Sequence, residues 1–146
     1  MRPYAIVLVA LLSLSAASGA TSPLEPASWG VVYDVPATAE VTLRADVPYL
    51  EGPSGRLTID IYLPPGMEAG AKRPAVVFLN AIGDRGEEKV KHWAIYRSWP
   101  RLVAAHGLVG LSMETDGERV QECLAALFRF LADRGAAQGI DGGRVG

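Results

Sequence analysis

The sequence predicts an α/β fold in which N-terminal antiparallel strands precede a βαβαβ unit on a parallel sheet, with the sheet incomplete at its C-terminal end. Three observations support this: an alternating segment over residues 56–63, two short apolar segments without alternation, and amphipathic helical segments beside them. The 146 residues are 49% hydrophobic and 21% charged, which is typical of one globular domain. The formal net charge of -2 and the lack of a basic patch argue against a nucleic-acid-binding protein.

The N-terminus has the three parts of a secretory signal peptide. Arg2 supplies a positive charge, residues 4–14 are an apolar run too short to span a bilayer, and residues 18–20 (SGA) suit a signal peptidase. We predict cleavage after about Ala20, so the mature protein is expected to be secreted or periplasmic, with no membrane span. Residues 21–30 are rich in proline and serine and are predicted to be a flexible leader. Residues 31–146 are then the folded part.

Two segments after the leader alternate as antiparallel strands do. Over residues 39–49, the odd-numbered residues from Val41 to Val47 share one apolar face, and a short apolar segment at 31–33 precedes them. Over residues 56–63, the odd-numbered residues from Leu57 to Leu63 form one apolar face, whereas the other face carries polar groups. This second pattern predicts an antiparallel strand near a sheet edge, because only one face is apolar.

Buried strands and helices then alternate along the chain. Residues 75–79 are apolar on both faces, as expected of a central parallel strand that helices cover on both sides. The charged segment 87–92 is predicted to be solvated. A helix is predicted to follow from Trp99 or Pro100 to His106, because proline suits a first helical turn. Residues 108–113 are predicted to form another buried strand.

The longest predicted helix follows residue 115. Thr115 and Glu118 have the spacing of a capping box, and an apolar stripe then repeats along one helical face. The stripe consists of Val120, Leu124, Leu127 and Leu131, with Phe130 and Cys123, interpreted as a buried small hydrophobe, beside it. Gly135 is predicted to end the helix, and a new strand is predicted to start at Arg144. In such a half-sheet, strand 108–113 and the strand start at Arg144 are expected to lack neighbouring strands.

Together these elements resemble the N-terminal half of an α/β-hydrolase. The resemblance rests on the signal-bearing leader, the strand that ends in residues 63–66 (LPPG), and the buried strand 74–79 with its small-residue loop. Residues 139–146 (GIDGGRVG) are similar to the approach to the nucleophile strand in the dienelactone-hydrolase-like and esterase or acyl-peptidase-like branches. The resemblance covers roughly residues 48–146.

The resemblance implies an exported serine hydrolase that cleaves ester or amide (peptide) bonds of a small-molecule or peptide substrate without a cofactor. Its Ser, acid and His would follow the strand that starts at Arg144, beginning with a Gly-x-Ser-x-Gly turn. We therefore expect the nucleophile beyond Gly146, with this chain a fragment that is inactive alone. Neither His92 nor His106 would then be the triad histidine. For the acidic turn at residues 114–116, capping is preferred to catalysis.

The resemblance also implies that one oxyanion donor comes from the loop after the buried strand. The backbone N–H of Ile82 is the preferred donor and that of Ala81 the second, with Asn80 and Gly83 in the same loop. The same residues also fit a plain strand-to-helix connection, in which Gly83 supplies a positive φ and Asn80 a turn. The sequence leaves both interpretations open.

An aromatic cluster precedes the first predicted helix. Trp93, Tyr96 and Trp99 recur every three residues and either pack against the sheet or form part of a pocket wall. The sequence shows no metal-ligand spacing and no phosphate-binding loop. An alternative function is a small exported non-catalytic binding protein that uses this aromatic cluster. A further possibility is a non-catalytic hydrolase relative whose nucleophile is replaced.

Overall fold

A computed structural model describes residues 28–33, 35–52, 55–79, 84 and 89–146. The predicted signal peptide and residues 21–27 of the predicted leader lie outside these residues. The strands and helices, in chain order, are β1 (Thr42–Gly52), β2 (Gly55–Leu63), β3 (Arg73–Phe78), α1 (Ala94–Ala105), β4 (Val109–Met113), α2 (Val120–Arg134) and β5 (Ile140–Val145). Residues 31–33, predicted as a strand, lie outside every strand of the structure. Within the described part of the chain, no helix is both long and apolar enough to cross a membrane.

The strands form one mixed sheet in the order β1-β2-β4-β3-β5. The pairs β1–β2 and β2–β4 are antiparallel, whereas β3 is parallel to both β4 and β5. This confirms the predicted α/β class with its N-terminal antiparallel strands. The expectation that strand 108–113 and the strand start at Arg144 lack neighbouring strands was wrong, because β4 lies between β2 and β3, and β5 pairs with β3.

The two helices cover opposite faces of the sheet. The α2 face holds the main core, in which Ile59, Ile61, Leu111, Leu127 and Leu131 are at most 1% exposed. On the α1 face, Tyr62 and Ala104 form a smaller cluster with Val41. The predicted alternation of residues 56–63 is confirmed, but the polar face of β2 is also buried, because α1 and the segment before it cover that face.

Helix α1 begins five residues earlier than Trp99, the earlier of its two predicted starts, so Pro100 lies inside it. The helix lies directly on β4 at Gly110, where a Cβ atom would come within 2.2 Å of the Pro100 carbonyl oxygen. Glycine is therefore required for this close approach. Gly107, with a φ of +88°, turns the chain from the helix into β4.

Strand β1 departs most from its prediction. It starts at Thr42, because residues 36–40 form a 3-10 turn, and its pairing with β2 is irregular between Arg44 and Val47. Asp46, in this irregular stretch, has a φ of +55°, which is uncommon for a non-glycine residue. The predicted face from Val41 to Val47 was wrong, since Leu43 and Ala45 are exposed.

Two predicted boundaries near the end of the chain were wrong. Helix α2 starts at Val120 with no side-chain cap, so Thr115 does not form the capping box with Glu118. Strand β5 starts at Ile140, earlier than the predicted Arg144, but it contains an irregular stretch. In that stretch the Asp141 carboxylate accepts from the Gly143 N–H at 3.1 Å and pairs with Arg144 Nε at 2.6 Å. Regular pairing with β3 resumes at Val145.

Candidate active site

The parallel strands create a switch point between β3 and β5. Helix α1 connects β3 to β4 over one face, and α2 connects β4 to β5 over the other. The two carboxyl ends lie side by side, because the Val77 N–H donates to the Gly146 carbonyl at 2.9 Å. In open α/β sheets, ligands bind in the crevice outside such a switch point. The topology thus places the candidate site at this edge.

An open apolar depression of about 370 Å³ adjoins this edge between β3 and α1. Its lining residues are Val77, Phe78, Leu79, Ile95, Tyr96 and Trp99. The rings of Phe78 and Trp99 are stacked with centroids 6.4 Å apart, and Trp99 is 43% exposed. Of the three aromatic residues of the predicted pocket wall, Tyr96 and Trp99 line the depression. Trp93 instead lies at the N-cap of α1. Other depressions lie beside α2, away from this edge.

The predicted oxyanion-loop residues Asn80, Ala81, Ile82 and Gly83 lie outside the described residues. The next described residue, Asp84, is 7% exposed and fixes the chain after this loop. Its carboxylate accepts from the N–H groups of Val90 (2.7 Å) and Thr115 (2.8 Å). Its own N–H contacts the Thr115 hydroxyl at 3.1 Å and the Thr115 carbonyl at 3.3 Å. Thr115 therefore holds Asp84 and does not cap a helix.

A buried lysine lies seven positions further along, in the segment predicted to be solvated. Lys91 is 1% exposed, and its ammonium contacts oxygens from β1, β2 and the residue after β4. These are Asp46 Oδ1 (2.5 Å), Thr58 Oγ1 (2.7 Å), Asp60 Oδ1 (3.1 Å) and Glu114 Oε1 (3.3 Å). The prediction of a solvated segment was thus wrong at Lys91, although His92 is exposed.

The charges of this cluster shift the pKa values of its members. Burial lowers the pKa of Lys91, but its hydrogen bonds to Asp46 and Asp60 and the charges of Asp60 and Glu114 outweigh that effect and raise it overall. The hydrogen bond to Lys91, and then the charge of Lys91, lower the pKa of the Asp46 carboxyl. Lys91 is therefore protonated at neutral pH, and a proton-transfer role for it is not supported.

One group in this region has the geometry of metal ligands. Ligand atoms of Asp46, His92 and Glu114 lie within 4.8 Å of one another. The Lys91 ammonium already pairs with two of these three side chains, so a metal ion would have to displace it or lie beside a like charge. The arrangement therefore favours an ion-pair cluster over a metal centre.

The acidic turn at residues 114–116 differs from its interpretation as a cap. Glu114 is 7% exposed, and its carboxylate accepts from the Thr58 N–H at 3.1 Å in addition to pairing with Lys91. The Tyr49 hydroxyl donates to the Glu114 carbonyl at 2.6 Å, and burial raises the pKa of Tyr49. Asp116 does organise the turn, since it accepts from the Glu118 N–H. Cys123 is buried, as interpreted from the sequence.

Comparisons with known proteins now bear on this geometry. No protein-family model and no curated protein matches the chain. Among solved structures, esterase Est22 matches with a TM-score of 0.57 and 16% identity, over 74% of this chain and 34% of the esterase. Esterase Est2 of the planctomycete Thermogutta terrifontis matches with a TM-score of 0.52 and 18% identity, over 75% of this chain and 40% of that protein. The same esterase phosphorylated by paraoxon gives a TM-score of 0.54 at 16% identity, over 74% and 42% of the two chains.

These matches define the fold. The mixed five-stranded sheet with a helix on each face is a partial α/β-hydrolase fold, as predicted. The chain spans about a third of the length of Est22 and two fifths of the length of the Thermogutta esterase. At these identities the likeness concerns the fold alone.

Proposed function

We propose that this chain is the N-terminal part of an exported serine hydrolase that cleaves an ester or amide bond. The observation that carries the proposal is the switch point between β3 and β5 in a fold shared with esterases. A strand that leaves this edge next to β3 is where such a sheet positions a nucleophile. The export signal is proposed from the sequence of residues 1–20, and N-terminal sequencing of the mature protein tests cleavage after Ala20.

The proposed roles follow from position. The catalytic serine and its acid and histidine partners lie outside the 146 residues, after the strand that contains Val145. The backbone N–H of Ile82, or secondly of Ala81, stabilises the oxyanion. The depression beside Tyr96 and Trp99 receives the acyl or side-chain group of the substrate, because its lining is apolar and contains no charged side chain.

The test is to sequence the gene beyond codon 146 and to produce the longer protein. We expect a Gly-x-Ser-x-Gly motif within about ten residues of Gly146 and hydrolysis of p-nitrophenyl acetate. Changing that serine to alanine should lower kcat by about 10⁴-fold or more. Paraoxon, which phosphorylates the Thermogutta esterase, should label the same serine in a mass spectrum.

Two results would contradict the enzyme proposal. One is a stop codon directly after codon 146 in the natural transcript; the other is a longer protein with no serine in the expected turn. A replaced nucleophile would indicate a non-catalytic hydrolase relative.

A second candidate function is a binding protein that uses the aromatic surface. The observation in its favour is the exposure of Trp99, 43%, beside an open depression. The two functions make different predictions for the 146-residue chain: as a binding protein it would bind its ligand unaided, whereas as part of a hydrolase it would be inactive alone. A binding protein would show saturable quenching of tryptophan fluorescence by a small aromatic ester such as phenyl acetate, and Trp99→Ala would abolish it.

A further inference from the structure

Two described side chains of the connection from β3 to α1, those of Asp84 and Lys91, contact β2 or the residues that follow β4. We propose that Asp84 and Lys91 are positioning residues, which hold residues 84 and 89–92 of this connection against β2 and the carboxyl end of β4, beside the candidate active-site edge. The catalytic consequence rests on the proposed function, in which the same connection supplies an oxyanion donor. The structural part stands on the contacts of the two side chains.

Each carboxylate oxygen of Asp84 accepts a hydrogen bond from a main-chain N–H group, and the two N–H groups belong to separate segments. One oxygen accepts from Val90, further along the same connection, and the other accepts from Thr115, two residues after β4. Charge-assisted hydrogen bonds of this kind are stronger than neutral ones, and burial keeps water from competing for the oxygens. Asp84 therefore ties itself and residue 90 to the carboxyl end of β4.

Lys91 provides the second attachment, immediately before α1. Its ammonium is shared among β1, β2 and the residue after β4, so the position of the nitrogen is fixed from three directions. A buried ion pair seldom stabilises a fold more than well-packed apolar side chains do. A cation bound by three strands or strand ends instead defines where the chain must lie. This is the property that a preorganised site needs.

The two attachments follow a segment whose geometry matters for catalysis under the proposed function. Preorganised donors stabilise an oxyanion only when they are within hydrogen-bond distance of it, and a misplacement of about 1 Å can cost roughly 10²-fold in rate. Among the described residues, Asp84 is the first after Leu79, and both of its carboxylate oxygens accept hydrogen bonds. Loosening Asp84 or Lys91 should therefore disturb this connection before it disturbs the core.

Amide hydrogen exchange of the 146-residue chain tests the structural part. Asp84→Asn keeps the size of the side chain, but the new NH₂ group cannot accept from one of the two backbone donors. Asp46→Asn is a milder second variant, because it weakens the hold on Lys91 from the exposed side. The matched control is Glu51→Gln, since Glu51 is 70% exposed and pairs with the exposed Arg56, whereas Asp46 is 69% exposed and pairs with the buried Lys91.

We expect exchange in peptides covering residues 79–92 to rise by about tenfold or more in Asp84→Asn and by a smaller factor in Asp46→Asn. Exchange in α2 and β2 should stay within about twofold of wild type in both variants, and Glu51→Gln should change neither region. A uniform rise across the chain would overturn the proposal, because the residues would then support the whole fold. Unchanged exchange over 79–92 in both variants would also overturn it.

The catalytic part is tested in the longer protein with p-nitrophenyl acetate. We expect kcat to fall by about 10- to 100-fold in Asp84→Asn while KM changes by less than about twofold. Unchanged kcat together with locally raised exchange would overturn the catalytic part alone. If the wild-type longer protein has no esterase activity, the proposed function fails, and the exchange result still decides whether Asp84 and Lys91 position the connection.

Discussion

Replacing Gly110 with alanine is expected to displace helix α1 from the sheet and to lower the free energy of unfolding by about 3 kcal/mol or more. The added Cβ would lie 2.2 Å from the Pro100 oxygen and 2.6 Å from its carbonyl carbon. These are backbone atoms of a helix, so no side-chain rotation relieves the contact. The helix would have to move as a unit and lose its packing on β4. Urea denaturation followed by circular dichroism measures the loss.

Gly143→Ala is the matched control for this substitution. Gly143 also lies in a strand, but within the described part of the chain the only atom that its added Cβ would approach within 4 Å is Asp141 Oδ1, at 3.5 Å. We expect a change within about 0.5 kcal/mol, typical of an unobstructed surface position. Equal stabilities of the Gly110 variant and the control would show that α1 does not lie against β4 at this distance.

Lys91→Met is expected to cost about 3–5 kcal/mol at neutral pH, because it leaves buried carboxylates without their cation. Methionine is long enough to occupy much of the space of the lysine side chain, so the decrease in the free energy of unfolding would reflect the lost charge and not a cavity. Most of the cost should come from Asp60 and Glu114, whose side chains are 9% and 10% exposed. Asp46 should contribute little, since solvent screens a side chain that is 69% exposed.

The difference between Lys91→Met and wild type should also depend on pH. The folded-state pKa of Asp46 is lowered from 3.8, so its stabilising contribution is present above that value and disappears as the pH falls through the folded-state pKa. The folded-state pKa of Lys91 is raised from 10.5, so its contribution is present below that value and disappears as the pH rises through the folded-state pKa. The difference in unfolding free energy between the two proteins should therefore shrink at high pH, as Lys91 loses its proton, and should change only slightly through Asp46 at low pH, since that side chain is 69% exposed.

Arg56→Met provides the control for the lysine substitution. Arg56 is 61% exposed and pairs with an exposed carboxylate, so its removal should cost at most about 1 kcal/mol at any pH. If Lys91→Met were no more costly than Arg56→Met, the buried cluster would not hold the charged arrangement described above.

The sequence predicted the elements whose signal is local. The alternation of residues 56–63 and the apolar run at 75–79 identified β2 and the centre of β3, because a buried face repeats every second residue in a strand. The stripe along α2 identified its buried face for the equivalent reason at helical spacing. The start of α1 was missed because a proline inside a helix usually marks a first turn, and here the close approach at Gly110 fixes the helix across Pro100.

The residues around the candidate site were harder to predict, because their partners are distant in sequence. Lys91 lies within a charged run and was therefore predicted to be solvated. Its burial is explained by ion pairs with Asp60 in β2 and Glu114 after β4, which are distant in sequence. Thr115 had a capping-box spacing, but its hydroxyl accepts from the Asp84 N–H and its own N–H donates to the Asp84 carboxylate. An aspartate in the middle of a strand, such as Asp60, was the available signal, since a buried carboxylate needs a partner cation. The oxyanion-loop prediction at Ile82 and Ala81 stays a prediction.

The burial of Cys123 gives this chain a built-in chemical reporter. It is the only cysteine among the 146 residues, it is fully shielded on the inner side of α2, and its sulfur accepts from the Asp116 N–H at 3.4 Å. A thiol reagent can reach it only after α2 separates from the sheet. The alkylation rate of Cys123 under native conditions therefore measures how often α2 separates from the sheet. The dependence of this rate on urea concentration distinguishes local opening from global unfolding.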